Sequence, residues 1–340
     1  MSERLTSSLT QDAKRAAPLS GRNGIINGAF DVWQRGTSIA YGINAIVYHA
    51  DRWASIRVTS PSGATISRQT SSLTGFQYCA RVQRDVSNTA TTTMYFGTNL
   101  ESTDSYRFAG QKVTLSYYAR AGANYSPTSS ALSAFITTGT GTDQNFITGF
   151  TGATSTSSTA TLTTNWQRFT VTATVASNVT QISANYSMNP VGTAGANDYF
   201  EITGVQLEVG SFATPFEFED ASTTLAKCQR YFQFYGGSGN YEFIGNGVCA
   251  NSTSAYGSLD LVNPMRSAPS LDTAGYTNVN QFTLDEGTGN TRLNGLSINV
   301  ASKQKVRFNC TVASGLTNSR YVAFLTYLSE TGKLWLTSEL

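Results

Sequence analysis

Strict alternation of apolar and polar residues is the feature that most limits what this chain can become. Val113, Leu115, Tyr117 and Ala119 share one phase, and Thr114, Ser116, Tyr118 and Arg120 the other. Phe169, Val171, Ala173 and Val175 interleave with Thr170, Thr172 and Thr174 in the same way, and Val306, Phe308, Cys310 and Val312 with Lys305, Arg307, Asn309 and Thr311. Successive side chains on a strand point to opposite faces, so each segment predicts a strand with one buried and one wet face. Parallel strands, covered on both sides, read instead as continuous apolar runs. The pattern predicts antiparallel sheets packed as a β-sandwich, and the connections rich in Gly, Ser and Thr suit a jelly roll.

A length of 340 residues exceeds what one core usually organises, so a second module is expected. The reading is all-β: an antiparallel β-sandwich followed by a second, smaller β domain, with a short N-terminal helix and a connector helix. Residues 1–22 form a helical docking segment, in which Leu5, Leu9 and Ala13 recur at four-residue steps within 3–17, before Pro18 and Gly21. So short a helix is marginal alone and would order against a neighbouring chain. Residues 23–216 hold the sandwich, 217–232 the connector helix, and 233–340 the C-terminal β domain. In the connector, Asp220 can cap the helix, and Leu225, Cys228 and Phe232 fall on one face. From Asp198 to Val209 the apolar phase is Phe200 and Ile202 before Gly204, then Val205, Leu207 and Val209, which predicts a β-bulge at Gly204. Tyr321 to Leu328 is apolar on both faces, with Tyr321, Leu325 and Tyr327 on one and Val322, Phe324 and Leu328 on the other. Such a strand needs two covers, and a sister copy could be the second.

Charged residues are 13 % of the chain and the formal net charge is +2. That is too small a field for nonspecific phosphate-backbone binding, so nucleic acid is not an expected partner. No run is long and apolar enough to span a bilayer, and residues 1–19 lack the hydrophobic stretch of a secretory signal, so synthesis and assembly in a cytoplasm are expected. Cys79, Cys228, Cys249 and Cys310 show neither metal-type spacing nor the density of a disulfide scaffold, and read as buried thiols.

Two short segments carry more. One is NGAFDVWQRGTS at Asn27 to Ser38, followed by Ala50-Asp51-Arg52-Trp53; the other is ITGVQLEVGSFATPF at Ile202 to Phe216, followed by CQRYF at Cys228 to Phe232. Asn27-Gly28 is a turn dipeptide, and Phe30, Val32 and Trp53 offer large apolar groups to a sandwich. Together the segments, which bracket roughly residues 24 to 232, resemble those of phage tail-fibre and related virion proteins that carry a jelly-roll domain similar to carbohydrate-binding modules. The resemblance implies that first and last strands pair, with Ala29 to Trp33 beside Glu201 to Glu208. It also implies a structural calcium near that seam, for which Asp31, Asp198 and Glu201 are the candidate oxygen ligands, although ordinary turn or surface carboxylates explain them as well.

The function that follows is a structural virion protein: a phage tail fibre or receptor-binding subunit attaching to a host surface, through glycan or protein. A capsid head fibre, decoration protein or tail adaptor is the alternative, with residues 1–22 gripping other tail or head proteins. A glycan site needs flat aromatic faces edged by hydrogen-bonding groups. Tyr118 with Arg120, Trp166 with Arg168, and separately Trp335 are the candidates; packing against a loop or a sister copy is the competing role for each. A single weak site is amplified by repetition, which favours a homotrimer.

Catalysis is not expected. The one histidine, His49, is a turn or packing residue on this reading, and no G-x-S-x-G elbow, phosphate-binding Gly loop or H-E-x-x-H helix is present. A glycan-depolymerising tailspike would need two carboxyls across a cleft. Glu101 with Asp104, and Asp285 with Glu286, are neighbours in sequence only.

Overall fold

The backbone follows the alternation. The computed structural model describes residues 21–41, 44–57, 63–327 and 332–340; the helix expected over 3–17 lies outside the described residues. The chain divides into two units, 1–221 together with Leu340, and 222–339. No helix among the described residues is long and apolar enough to cross a membrane.

Among its described residues the first unit contains twelve strands: β1 (Ser38–Ala40), β2 (Val47–Tyr48), β3 (Ala54–Arg57), β4 (Ala64–Thr70), β5 (Tyr78–Arg84), β6 (Met94–Asn99), β7 (Lys112–Ala121), β8 (Ala131–Gly139), β9 (Thr154–Thr161), β10 (Gln167–Thr174), β11 (Gln181–Met188) and β12 (Tyr199–Val209). They form two six-stranded sheets, in the orders β1-β4-β5-β12-β7-β10 and β2-β3-β6-β11-β8-β9. Every pairing in both is antiparallel. The inner faces meet through the apolar phase of each strand. Val113, Leu115 and Tyr117 of β7 are buried, as are Ile182, Ala184 and Tyr186 of β11, and the Tyr117 and Tyr186 rings meet edge to face at 4.9 Å.

The bulge falls where the phase change puts it. Between β12 and β7 the register slips between Thr203 and Gln206, and Gly204 has φ +60°, a conformation open to glycine. The slip keeps Phe200 and Ile202 and then Val205 and Leu207 in the core.

The entry to the sandwich differs from the expectation. Gly24 N donates to Leu207 O at 2.8 Å and Val205 N to Gly28 O at 2.9 Å, so residues 24–28 run beside β12. Residues 29–33 turn away from it, because Asn27 and Phe30 adopt φ of 57° and 59°. The Asn27 amide holds that turn: Nδ2 donates to Val32 O (2.9 Å) and Asp51 O (3.1 Å), while Oδ1 accepts from Val32 N (3.0 Å). Trp53 Nε1 donates to Asn27 O at 3.2 Å, and Phe30 and Trp53 are wholly buried, whereas Val32 is half-buried.

The outer face of the first sheet is not simply wet. Thr114, Ser116, Gln206 and Glu208 lie on it and are buried, because residues 212–217 fold back across them. The Glu208 carboxylate accepts from Thr214 N (2.8 Å) and Thr214 Oγ1 (2.7 Å), and Gln206 Oε1 accepts from Glu217 N (2.8 Å). The ATPF run that ends the second motif, with Glu217 after it, is therefore a strap, fastened by polar side chains that would otherwise be left unsatisfied.

A helix, Ala221–Gln229, begins at the last residue before the division and is shorter than the connector read from sequence. Cys228 is buried, but Leu225 is exposed and Phe232 belongs to a strand, so the three do not share a helical face. Among the described residues nine strands follow: β13 (Phe232–Tyr235), β14 (Phe243–Asn251), β15 (Ser254–Asp260), β16 (Ser270–Asp272), β17 (Phe282–Asp285), β18 (Asn290–Ala301), β19 (Lys305–Val312), β20 (Tyr321–Thr326) and β21 (Leu334–Thr337). Six of them close a barrel in the order β14-β15-β19-β18-β17-β20, and β13-β21-β16 form a separate sheet. Val306, Phe308 and Cys310 of β19 and Val322 and Phe324 of β20 are buried in its core. On the other phase of β20 Leu325 is also buried and Tyr321 is exposed; Leu328, in phase with Val322 and Phe324, lies outside the described residues. All four cysteines are free and buried.

A Cβ on residue 204 would come within 2.7 Å of the Phe76 ring and 2.8 Å of the Tyr118 ring, at a φ that L side chains avoid. Gly204→Ala is expected to cost about 1–3 kcal/mol, read as a lower urea midpoint with an unchanged m value.

Candidate functional site

Tyr118, Arg120, Trp166 and Arg168 do come together, because β7 and β10 pair with Tyr118 opposite Arg168. Each is engaged, however. The Arg120 guanidinium lies 5.1 Å from the Trp166 ring centre and that of Arg168 5.5 Å from the Tyr118 ring centre. Arg120 Nε also donates to Glu201 at 2.6 Å, Trp166 Nε1 to Ser72 Oγ at 3.1 Å, and Arg168 to Ser116 Oγ at 3.0 Å and to Thr214 O in the strap. Phe76 sits 5.6 Å from Tyr118. Rings and cations hold one another here, which weakens the case for an open sugar platform on this face. Trp335 stands on β21 with its ring edge-on to Phe232 at 5.3 Å, and so close to Gly275 that a Cβ there would lie 2.5 Å from its Cγ. It packs inside the second unit.

The calcium candidates do not fit a metal. Asp198 makes a fully buried ion pair with Arg84 at 2.8 Å and accepts from Ser126 N at 2.9 Å. Glu201 accepts from Arg81 through one oxygen and from Arg120 through the other, each at 2.6 Å. Guanidinium groups already neutralise both carboxylates, and every carboxylate oxygen accepts at least one hydrogen bond. Asp31 is exposed, and partial burial outweighs nearby Arg68 to raise its carboxyl above the usual range. Among the described residues no cluster of three His, Cys, Asp or Glu side chains could hold a metal ion.

His49 is wholly buried, its ring stacked on Phe96 at 5.3 Å, and Nδ1 accepts from Ala50 N. Nε2 has no hydrogen-bond partner among the described residues. Desolvation, aided by the Arg35 charge, pushes its pKa down to about 3, so the ring is neutral packing material. The carboxyl pairs are equally occupied. Asp285 accepts from Gly287 N at 2.7 Å, and Glu286 from the Cys249 thiol at 3.0 Å and Thr317 N at 2.7 Å. Glu101 is buried beside the single helical turn Ser102–Ser105 that carries Asp104.

A different place has the shape of a binding site. Across the outer face of the second sheet runs a groove of about 590 Å³. Its floor is the polar phase of five neighbouring strands: Ile56 on β3, Tyr95 on β6, Asn185 and Ser187 on β11, Phe135 and Thr137 on β8, and Ser155 on β9. One wall is the loop between β8 and β9, which brings in Phe146, Ile147 and Phe150. That loop is built to stay put. Thr140 N donates to Thr151 O (2.9 Å), Phe146 N to Asn99 Oδ1 (2.9 Å), and Ser102 N and Oγ bond Asp143 Oδ1 (2.8 Å) and N (2.9 Å). Phe150 drops over Gly139, where a Cβ would lie 2.5 Å from its own. On the floor, Asn185 Nδ2 donates to Thr137 Oγ1 and Ser183 Oγ, both at 3.1 Å. Aromatic surface, amides and hydroxyls converge in one concave space, the usual make-up of a small-molecule site.

Sequence reasoning missed this groove. The signal existed, since Tyr95 and Phe135 stand off the buried phases Met94/Phe96 and Leu132/Ala134/Ile136, as Tyr118 and Trp166 do on the other sheet.

No protein-family model matches the chain, and no curated protein matches it. Among solved structures, the enzymatically active domain of tailspike protein 4 from bacteriophage CBA120 is similar at 11 % identity, over 55 % of this chain and 21 % of that one, with a TM-score of 0.35. A family 4 carbohydrate-binding module is 21 % identical over 54 % of this chain and 98 % of its own, with a TM-score of 0.34. A family 22 xylan-binding domain from Paenibacillus barcinonensis is 12 % identical over 58 % and 100 %, with a TM-score of 0.32. The chain thus spans about a fifth of the tailspike's length and nearly all of each module.

The depressed His49 pKa has a signed consequence. Between about 6.5 and about 3 the unfolded chain binds a proton that the folded one does not, so stability is full above that window and falls as pH drops through it. His49→Phe is expected to flatten this part of the stability–pH curve, measured by urea unfolding across the same range. Adding calcium or a chelator is expected to leave Tm unchanged in differential scanning calorimetry.

Proposed function

We propose that this chain is a non-catalytic attachment subunit of a phage particle, a tail fibre or receptor-binding protein, and that the groove on the second sheet holds a host-surface glycan. The observation that carries the glycan reading is the groove itself. Tyr95, 37 % exposed, and Phe135 offer ring surface to sugar C–H groups, and Asn185, Ser187 and Thr137 offer the amide and hydroxyl groups that match sugar hydroxyls. The phage reading rests on the two motifs, whose residues build a fastened turn around Asn27 and a strap across Gln206 and Glu208. In this proposal residues 1–22 dock the subunit to other tail or head proteins, and the chain works as a homotrimer exposed on the tail, assembled in the host cytoplasm. Three grooves on one particle raise avidity without improving any single contact.

Tyr95→Ala is expected to weaken glycan binding at least about tenfold on a host-polysaccharide surface, while Trp166→Ala leaves it within about twofold. The reverse ranking overturns the choice of face, and loss of binding in neither variant overturns the glycan role. Light scattering is expected to give the mass of three copies of the 36.5 kDa chain; a single-copy mass at micromolar concentration sinks the trimer. Release of oligosaccharide from host polysaccharide by the purified chain would overturn the non-catalytic assignment.

A further inference from the structure

Resting on the reading of the groove as a saccharide site, we propose that it selects uncharged saccharide chains and rejects those bearing carboxylate, sulfate or phosphate. Among the described residues, floor and wall include no Asp, Glu, Lys, Arg or His side chain. An anionic sugar entering the groove would give up part of the water around its charge and meet no cation in exchange, which disfavours it against an uncharged sugar. The cations of the sandwich are elsewhere. Arg81 and Arg120 stand on the first sheet, already spent on Glu201, and Arg84 is locked to Asp198 in the interior.

The polar groups that do line the groove fit hydroxyls. Both Nδ2 hydrogens of Asn185 go to Thr137 and Ser183, which leaves Oδ1 as an acceptor, and a sugar hydroxyl can donate to it. A carboxylate or sulfate, which only accepts, would set oxygen against oxygen there. Asn189 complements it: its Oδ1 accepts from Thr93 at 2.6 Å, so its amide hydrogens are left to donate. A hydroxyl both donates and accepts, and so can use the two amides that line the groove. The floor also crosses five strands, a span of about 19 Å at the usual strand spacing, which is room for a short chain rather than a single ring.

The test uses the full chain in calorimetric titrations with hexamers of glucose, xylose, mannose and galactose, and with hexamers of galacturonate and sialic acid. At least one neutral hexamer is expected to bind about tenfold or more tightly than either acidic one, with Kd changing less than about twofold between about 0.02 and about 0.5 M NaCl. Binding is expected to be lost in Tyr95→Ala and in Asn185→Ala, two variants on separate strands, so that misfolding of one does not decide the result. An acidic hexamer bound as tightly as any neutral one, and weakened by the same variants, overturns the selectivity and leaves the saccharide reading standing. If no hexamer binds in a manner that depends on Tyr95 or Asn185, the saccharide reading itself falls.

Discussion

Phe96 is the contact on which the sandwich turns. Its ring lies 4.9 Å from Trp53, 5.9 Å from Phe30, 5.3 Å from His49 and 6.3 Å from Tyr186, and it meets Phe200 of the opposite sheet edge-on at 6.4 Å. Neither sheet is stable with its apolar face in water, and this cluster joins the two faces and the turn of residues 27–33 into one packed body. The neutral state of His49 follows from the same packing, since a charge among those rings would have nothing to pair with. The Asn27 turn is in effect the lid of that cluster, because its hydrogen bonds set where Phe30 and Trp53 enter.

Once the inner faces are joined, the outer faces meet different fates. The first sheet carries Gln206 and Glu208 where the strap crosses, and farther along the same face its arginines pair with Glu201 and stack on Trp166 and Tyr118. The second sheet carries Ser, Thr and Asn with two aromatic rings, and the loop from β8 to β9 borders it without filling it. One face is closed by the chain's own polar ladder, and the other stays concave and uncharged. The proposal of a glycan site on the second sheet rests on that difference.

Much of the fold was legible because β7, β10 and β19 each keep one apolar phase, and because the phase change at Gly204 has only one simple cause. β9 was not, since TSTSSTAT is exposed along nearly all its length and owes its place to pairing with β8 rather than to burial. The site was half legible. An aromatic on the polar phase marks a candidate, but Tyr118 and Tyr95 look alike in sequence, and what separates them is whether a distant segment folds over them. The carboxylates Asp198 and Glu201 misled for a related reason. Their partners Arg81, Arg84 and Arg120 come from other strands, and only the register brings them opposite.

The closed barrel of the second unit has a consequence for anything that meets it. Closure pairs most of the wall on both sides, but β18 meets β17 only over Asn290–Arg292, so from Leu293 to Ala301 it has β19 as its one ladder partner among the described residues. Elsewhere the wall offers side chains, and across three adjacent strands Tyr321, Val248 and Tyr256 are aligned in register, with Tyr321 85 % exposed. The barrel wall thus presents two different kinds of surface, one side of a strand open to backbone pairing and a row of side chains.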